Sequence, residues 1–298
     1  MRGLPDFFSP SLVGLLFLPP MHTPSAADQR IVLVTGGSSG IGRATAAYLS
    51  QRGFVVYGTG RHGRDGQPMD NFTFLQMDVT DEASVRRVLD YVLQRHGRLD
   101  AVINNAGLGM VGPVEMTSEA EAREMMDTNF HGVLNVCRNA IPMLRLSGGG
   151  HIINVTSIGG RVGLPFRGIY CAGKFAVEGL SEALSMELKK FNIKVSIIEP
   201  GDFRTGINQN RKYPARQQPD LYPESDTARS QVISEVENAP HPEAIGRLVH
   251  SILNNPRPRL RYKAATPMQR LSVEIKKFVP DRWFEQLIMN HYKMKHKP

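Results

Sequence analysis

In the stretch YCAGK, Tyr170 and Lys174 stand four residues apart. On a helix that spacing puts both side chains on one face, so an ammonium lies beside a phenol. A neighbouring cation favours the ionised phenol and suits it to proton transfer near neutral pH. Taken alone, such a pair is more often a plain solvated helix face. A second constellation gives it weight. Residues 31–43 read IVLVTGGSSGIGR and parse in two ways. As G-x-S-x-G, they make Ser38 the nucleophile elbow of a hydrolase. As T-G-x-x-x-G-x-G, with Thr35, Gly36, Gly40 and Gly42, they make a turn whose backbone meets a dinucleotide. A hydrolase elbow follows several strands and is completed downstream by an acid and then a histidine. Here the motif follows the first strand and opens directly into the helical RATAAYLSQRG, which is where a doubly wound sheet binds pyrophosphate.

The elements around these residues are regular. Short apolar, β-branched runs at 31–35, 54–58, 72–77, 100–104, 151–155 and 194–198 predict strands. Helical periodicity predicts helices at 41–51, 81–96, 119–145, 168–190 and 242–254. Continuous apolar strands alternating with helices imply a parallel sheet covered on both faces. The expected fold is therefore α/β, a doubly wound (Rossmann-type) parallel sheet in a single domain at 29–255. Residues 202–240 turn polar and proline-containing, and read as a substrate loop beside the site. The first 28 residues read as a disordered leader, or as sequence upstream of a true start at Met21; their apolar run is too short to span a bilayer.

Several further motifs occur in a fixed order: DVT at 78–80, NNAG at 104–107, NFHG at 129–132, Ser157 before YCAGK, and EPGDFRT at 199–205. With TGGSSGIG they make residues 30–255 resemble the short-chain dehydrogenase/reductase family, most closely its hydroxysteroid and retinol dehydrogenase branch. The resemblance implies a catalytic set of Asn129, Ser157, Tyr170 and Lys174. Tyr170 would exchange a proton with the carbonyl oxygen, and Ser157 would hydrogen-bond that oxygen. Lys174 would hold the nicotinamide ribose and tune Tyr170, and Asn129 would hold a water linking Lys174 to solvent. Cofactor contacts are implied at Gly36, Ser38, Ser39, Gly40, Ile41, Gly42, Asp78, Val79, Asn105, Ala106, Gly107, Pro200, Gly201 and Thr205, besides Tyr170 and Lys174. Hydride passes directly between nicotinamide and carbon, so no metal is expected. Gly173 departs from the family's usual small polar residue and costs about 1 kcal/mol of helix propensity relative to alanine. A non-catalytic nucleotide sensor is the third reading; it has no need to keep all four catalytic residues.

Cofactor choice follows from charge. NAD binders place an acid about 20 residues beyond the glycine turn. Here the second strand ends GTGRH, with Gly60 and then Arg61, and no acid stands between Gly42 and Asp65. Arg61, helped by Arg43 or His62, can pair with a 2′-phosphate. NADP(H) is expected ahead of NAD. Leu108, Met110, Val111 and residues 162–166 predict an apolar pocket, hence a steroid-, retinoid- or lipid-like ketone, aldehyde or alcohol.

The net charge of +8 on 298 residues sits in the tail: 256–298 hold eleven Lys or Arg against three acids, whereas the rest is balanced. No nucleic-acid motif accompanies it. Phe278, Trp283, Phe284, Leu287 and Ile288 predict an apolar helix face flanked by Lys276, Lys277, Arg282 and Lys293, which either packs on the body or makes a weak membrane-surface contact. Cys137 and Cys171 form no disulfide framework or metal motif, which suits a reducing cytoplasm. A homo-oligomer is expected by resemblance, through the helices at 119–145 and 168–190, with Leu180, Leu184 and Leu188 as core or interface.

Overall fold

A computed structural model describes residues 29–294. Eight strands form one sheet: β1 (Ile31–Val34), β2 (Val55–Gly60), β3 (Gln67–Met69), β4 (Phe72–Gln76), β5 (Ala101–Asn104), β6 (Gly150–Val155), β7 (Ile193–Pro200) and β8 (Arg261–Ala264). Their order is β3-β4-β2-β1-β5-β6-β7-β8. All neighbours are parallel except the β3–β4 hairpin. The reversal of strand order between β1 and β5 is the switch point at which ligands bind in such sheets. The helices are α1 (Gly40–Ser50), α2 (Glu82–His96), α3 (Glu119–Met126), α4 (Gly132–Leu146), α5 (Gly168–Glu187), α6 (Glu224–Glu237), α7 (Glu243–Asn254), α8 (Pro267–Ile275) and α9 (Asp281–His291).

Both sheet faces are covered, as continuous apolar strands require. On one face Val85, Val88, Val136, Val177 and Leu184 from α2, α4 and α5 pack on Leu33, Val102 and Ile152. On the other, Ala46, Leu49, Ile245 and Val249 from α1 and α7 pack on Val32, Val34, Ile103 and Ile153. Local signals set the element ends. Asp81 caps α2 by accepting a hydrogen bond from the Ala83 amide, and Gly97 closes it in the left-handed conformation at φ 68°.

Two expectations are refined and two corrected. The helix predicted at 119–145 is present and contains a π-helical turn at Asp127–His131, which joins α3 to α4. The loop at 202–240 contains α6, which buries Ala228, Val232 and Val236. The basic extension is no appendage beyond an edge at 255: β8 pairs with β7, and α8 and α9 return over the sheet's carboxyl end. A buried charge network fixes it there. Arg261 of β8 reaches Glu178 at 3.0 Å and Glu199 at 3.4 Å, while Arg161 reaches Glu199 at 3.1 Å. Lastly, of the two alternatives for the leucine stripe, core is the one seen: Leu184 and Leu188 are buried, with Leu180 packed against their cluster. The leader expected at residues 1–28 lies outside the described residues.

Candidate active site

The glycine turn leads from β1 into α1. Gly36 has φ 66° and Gly40 φ 55°, a region glycine enters without strain. A Cβ on Gly36 would lie 2.9 Å from the Ala106 Cα. The Thr35 hydroxyl accepts hydrogen bonds from the amides of Asn105 and Ala106, both at 3.0 Å. The NNAG segment therefore holds the turn shut against β5. Asn104 extends the brace by donating to Asn154, which donates to Ser181 of α5, both at 2.8 Å. Ser39 stands at the N-cap of α1, yet its side chain caps nothing. The first amides of α1 are thus left for an outside acceptor, at the positive end of the helix dipole. A glycine cradle that a Cβ would fill, beside uncapped amides, fits a dinucleotide pyrophosphate.

Ser157 follows β6, and its Oγ accepts from the Gly159 amide at 3.0 Å. Tyr170 and Lys174 lie on the first turns of α5, both buried. The Lys174 Nζ donates to the Val155 carbonyl at 3.1 Å. Burial pushes its pKa down from 10.5 to about 8, with Glu178 one turn on pulling the other way. A Cβ on Gly173 would lie 3.3 Å from the Asn129 Cβ, so glycine permits α5 to approach the π turn closely. Its helix cost is offset by packing.

One cavity of about 860 Å³ takes in this whole region. Of the predicted site residues, it is lined by all but Gly42 and Asn129. Gly42 sits behind the turn, where a Cβ would come within 2.2 Å of the Gly36 carbonyl oxygen, so glycine is required there for packing. Asn129 is fully buried. Its amide oxygen accepts from the Leu108 amide at 2.7 Å, and its nitrogen donates to the Leu108 carbonyl at 2.9 Å. The side chain fixes the segment after β5 through both ends of its amide. Asp78 spends one oxygen on Thr80 and keeps the other toward the cavity. Arg43 is engaged by Asp70 at 2.5 Å and is no helper to Arg61. Arg61 is exposed at the cavity edge, with His62 beside it. Ser38 lies against Gly60: a Cβ there would stand 2.9 Å from the Ser38 Oγ. Among the described residues no histidine hydrogen-bonds Ser38, and the nucleophile-elbow reading ends there.

Of the predicted pocket residues, Leu108 and Leu164 line the cavity, whereas Met110 and Val111 pack behind it. Sequence reasoning missed the opposite wall. Met268, Leu271 and Ile275 of α8 and Phe284, Leu287 and Ile288 of α9 line it, as do Arg167 and Tyr292, while Asp202 and Arg211 come from the loop at 202–240 that was expected beside the site. Gln269 of α8 donates to Asp202 at 2.6 Å and ties this wall to the Pro200–Gly201 turn. The predicted apolar face in 276–293 divides: Phe284 is buried and Ile288 partly so, while Phe278, Trp283 and Leu287 stay exposed. No described helix is long and apolar enough to cross a membrane.

A doubly wound sheet with a glycine cradle at its switch point, and a Ser–Tyr–Lys set facing that cradle, defines a nicotinamide-dependent oxidoreductase. Comparison with known proteins agrees. The family model described as short chain dehydrogenase matches residues 30–215, and the chain belongs to that family. It is 39% identical over 265 residues to a 3-ketodihydrosphingosine reductase of Bacteroides thetaiotaomicron, covering 88% of this chain and 98% of that protein. It is 37% identical over 191 residues to human 17-beta-hydroxysteroid dehydrogenase type 1, covering 59% of this chain and 58% of that protein. Among solved structures, a short-chain dehydrogenase from Streptomyces avermitilis superposes with a TM-score of 0.72 at 29% identity, covering 89% of this chain and 96% of that one.

Proposed function

We propose that this enzyme interconverts a lipid-like ketone or aldehyde and its alcohol with NADP(H), using Tyr170 as the proton-transfer group. One observation carries the reading: the cavity that contains the glycine cradle and Ser157, Tyr170 and Lys174 continues into an apolar wall from α8 and α9. When bound, the dinucleotide supplies or accepts hydride. The protein does the rest. The uncapped amides of α1 hold the pyrophosphate, and Lys174 reaches the ribose side of the site. Ser157 and Tyr170 point their hydroxyls at one carbonyl oxygen, and Tyr170 gives that oxygen its proton in reduction and takes it back in oxidation. Leu164, Leu271 and Ile288 exclude water from the reacting carbon. Arg61, at the edge where the 2′ position would lie, supports the preference for NADP(H).

The relative from Bacteroides makes a long-chain 3-ketone the first compound to test. The decisive experiment is a redox screen of long-chain ketones, steroids, retinoids and simple alcohols, each with NADPH/NADP+ and NADH/NAD+. Turnover of an apolar carbonyl, lost in Tyr170→Phe while cofactor binding survives, is the expected result. Near-normal kcat in Tyr170→Phe would overturn the assignment.

We propose further that the protein is cytoplasmic, an assignment supported by its two free, buried cysteines. It is taken to be a homo-oligomer through α4 and α5, whose exposed Leu146, Phe175 and Met186 support contact there; a monomer alone in sedimentation at micromolar concentration would refute this. Exposed Trp283 and Leu287 beside Arg282 support a weak membrane-surface contact near the cavity mouth. Co-sedimentation with anionic vesicles tests that reading.

A further inference from the structure

The substrate end of the cavity contains two arginines that the proposed mechanism leaves unused. Arg167 precedes α5, and its guanidinium carbon lies 4.9 Å from the centre of the Tyr170 ring. Arg211 comes from the loop after β7 and is 93% buried, since only 7% of its surface is exposed. It lies on the substrate side: its Cγ would be 3.8 Å from a Cβ on Gly109, just beyond NNAG. Both side chains line the cavity, and the Nε of each is buried without a hydrogen-bond partner.

Buried guanidinium groups are ordinarily paired with carboxylates, because an unpaired buried charge is costly. Here one Arg211 nitrogen donates to the Asn208 side-chain oxygen at 2.8 Å, and that is a neutral partner. Among the described residues no carboxylate lies within 4 Å of either arginine. The nearby acids have other partners: Asp202 accepts from Gln269, and Glu235 pairs with His291 at 3.2 Å. Burial, and then the charge of Arg167, holds the Arg211 pKa below its ordinary value, whereas for Arg167 burial is outweighed by Tyr170, Tyr292 and Asp202, which hold its pKa above the ordinary one. The two cations therefore face one space, repel each other, and sit beside the proton-transfer tyrosine.

We propose that Arg167 and Arg211 form an anion subsite that takes a carboxylate or phosphate carried a few bonds from the reacting carbonyl carbon. The proposal rests on the oxidoreductase reading of the same cavity and narrows its substrate class to an apolar chain bearing an acidic head group. An ammonium in that position would meet two like charges, with Asp202 and Glu235 already engaged by Gln269 and His291. The fork of each guanidinium suits either acid.

The test is binding, so it does not depend on turnover. Protein saturated with NADP+, which fills the phosphate-binding turn, is titrated calorimetrically with octanoate, octyl phosphate, octan-1-ol and octylamine. At least one of the two anions should bind ten times or more tighter than the alcohol and the amine. The two anion arms tell a carboxylate from a phosphate. Arg167→Met and Arg211→Met should each weaken anion binding at least fivefold while leaving the octan-1-ol affinity and the NADP+ Kd within twofold; Arg211→Lys should keep part of the preference. Four octyl compounds bound within threefold of one another, no measurable anion binding, or a preference that survives both Met substitutions together would overturn the subsite. An equal loss of NADP+ affinity would overturn it too, by assigning the arginines to the cofactor. A redox screen without turnover of any apolar carbonyl, alongside an intact anion preference, would refute the proposed lipid-like substrate and leave the subsite standing.

Discussion

Lys174 offers a prediction that needs no substrate. In the unfolded chain its ammonium titrates at the ordinary 10.5, and in the ligand-free fold burial brings it to about 8. Between those values the unfolded chain binds more protons than the folded one, so stability contributed at this position rises with pH. Below about 8 both states are protonated and the full penalty of the buried cation is present; above 10.5 it is gone. Between pH 7 and pH 10 the change is on the order of 2 to 3 kcal/mol. The perturbation is Lys174→Met, which keeps the apolar stem and deletes the titration. Urea unfolding of both ligand-free proteins at intervals from pH 7 to pH 10 measures it, and groups common to the two cancel in the difference. The wild type should gain roughly 2 to 3 kcal/mol on the variant across the range. Glu178→Gln removes the carboxylate that supports the ammonium and should start the gain at lower pH. A difference that stays flat would show that Lys174 is not a desolvated cation, and with it would fall the account of its role beside Tyr170.

Two other outcomes bear on the cofactor cradle. Arg61→Ala should lower kcat/KM for NADPH about tenfold and leave NADH unchanged; an exposed charge-assisted contact is worth about 1.5 kcal/mol, the low end of its range. A wild-type preference for NADH would sink this. Gly42→Ala should abolish binding of both dinucleotides and lower Tm, because its methyl would sit against the Gly36 carbonyl, which is backbone and cannot step aside. Intact fluorescence titration with NADPH in that variant would contradict the turn geometry.

The cradle and the Ser–Tyr–Lys set were legible because each depends on residue types with few substitutes at short spacings. Glycine at positive φ and an i, i+4 pair can be read from one dimension, and so can six buried apolar strands. What escaped notice has no such mark. β8 reads RYKA, four half-buried residues with no apolar run, and earns its place through β7 and the Arg261 charge pairs. β3 is three residues long and turns through Asp70 and Asn71 at φ 44° and 72°. The π turn looks helical in sequence, since DTNFH fits either period. Gly60 was read as a missing acid, whereas Ser38 pressed against it supplies a second reason for glycine: an aspartate introduced there would displace a cradle residue. Arg167 and Arg211 are solitary arginines in irregular segments, and only tertiary structure brings them to Tyr170.

The position of β8, α8 and α9 has a consequence for synthesis. Every residue of the dinucleotide cradle and of the Ser–Tyr–Lys set precedes residue 206, while half of the substrate wall is made from 268 onward. A growing chain can gather β1 to β7 and their helices before the enclosing wall exists. Its order of acquisition is then nucleotide first and substrate second, and a ribosome halted between the two would carry a domain able to hold the coenzyme with its apolar cleft still open to the cell's chaperones.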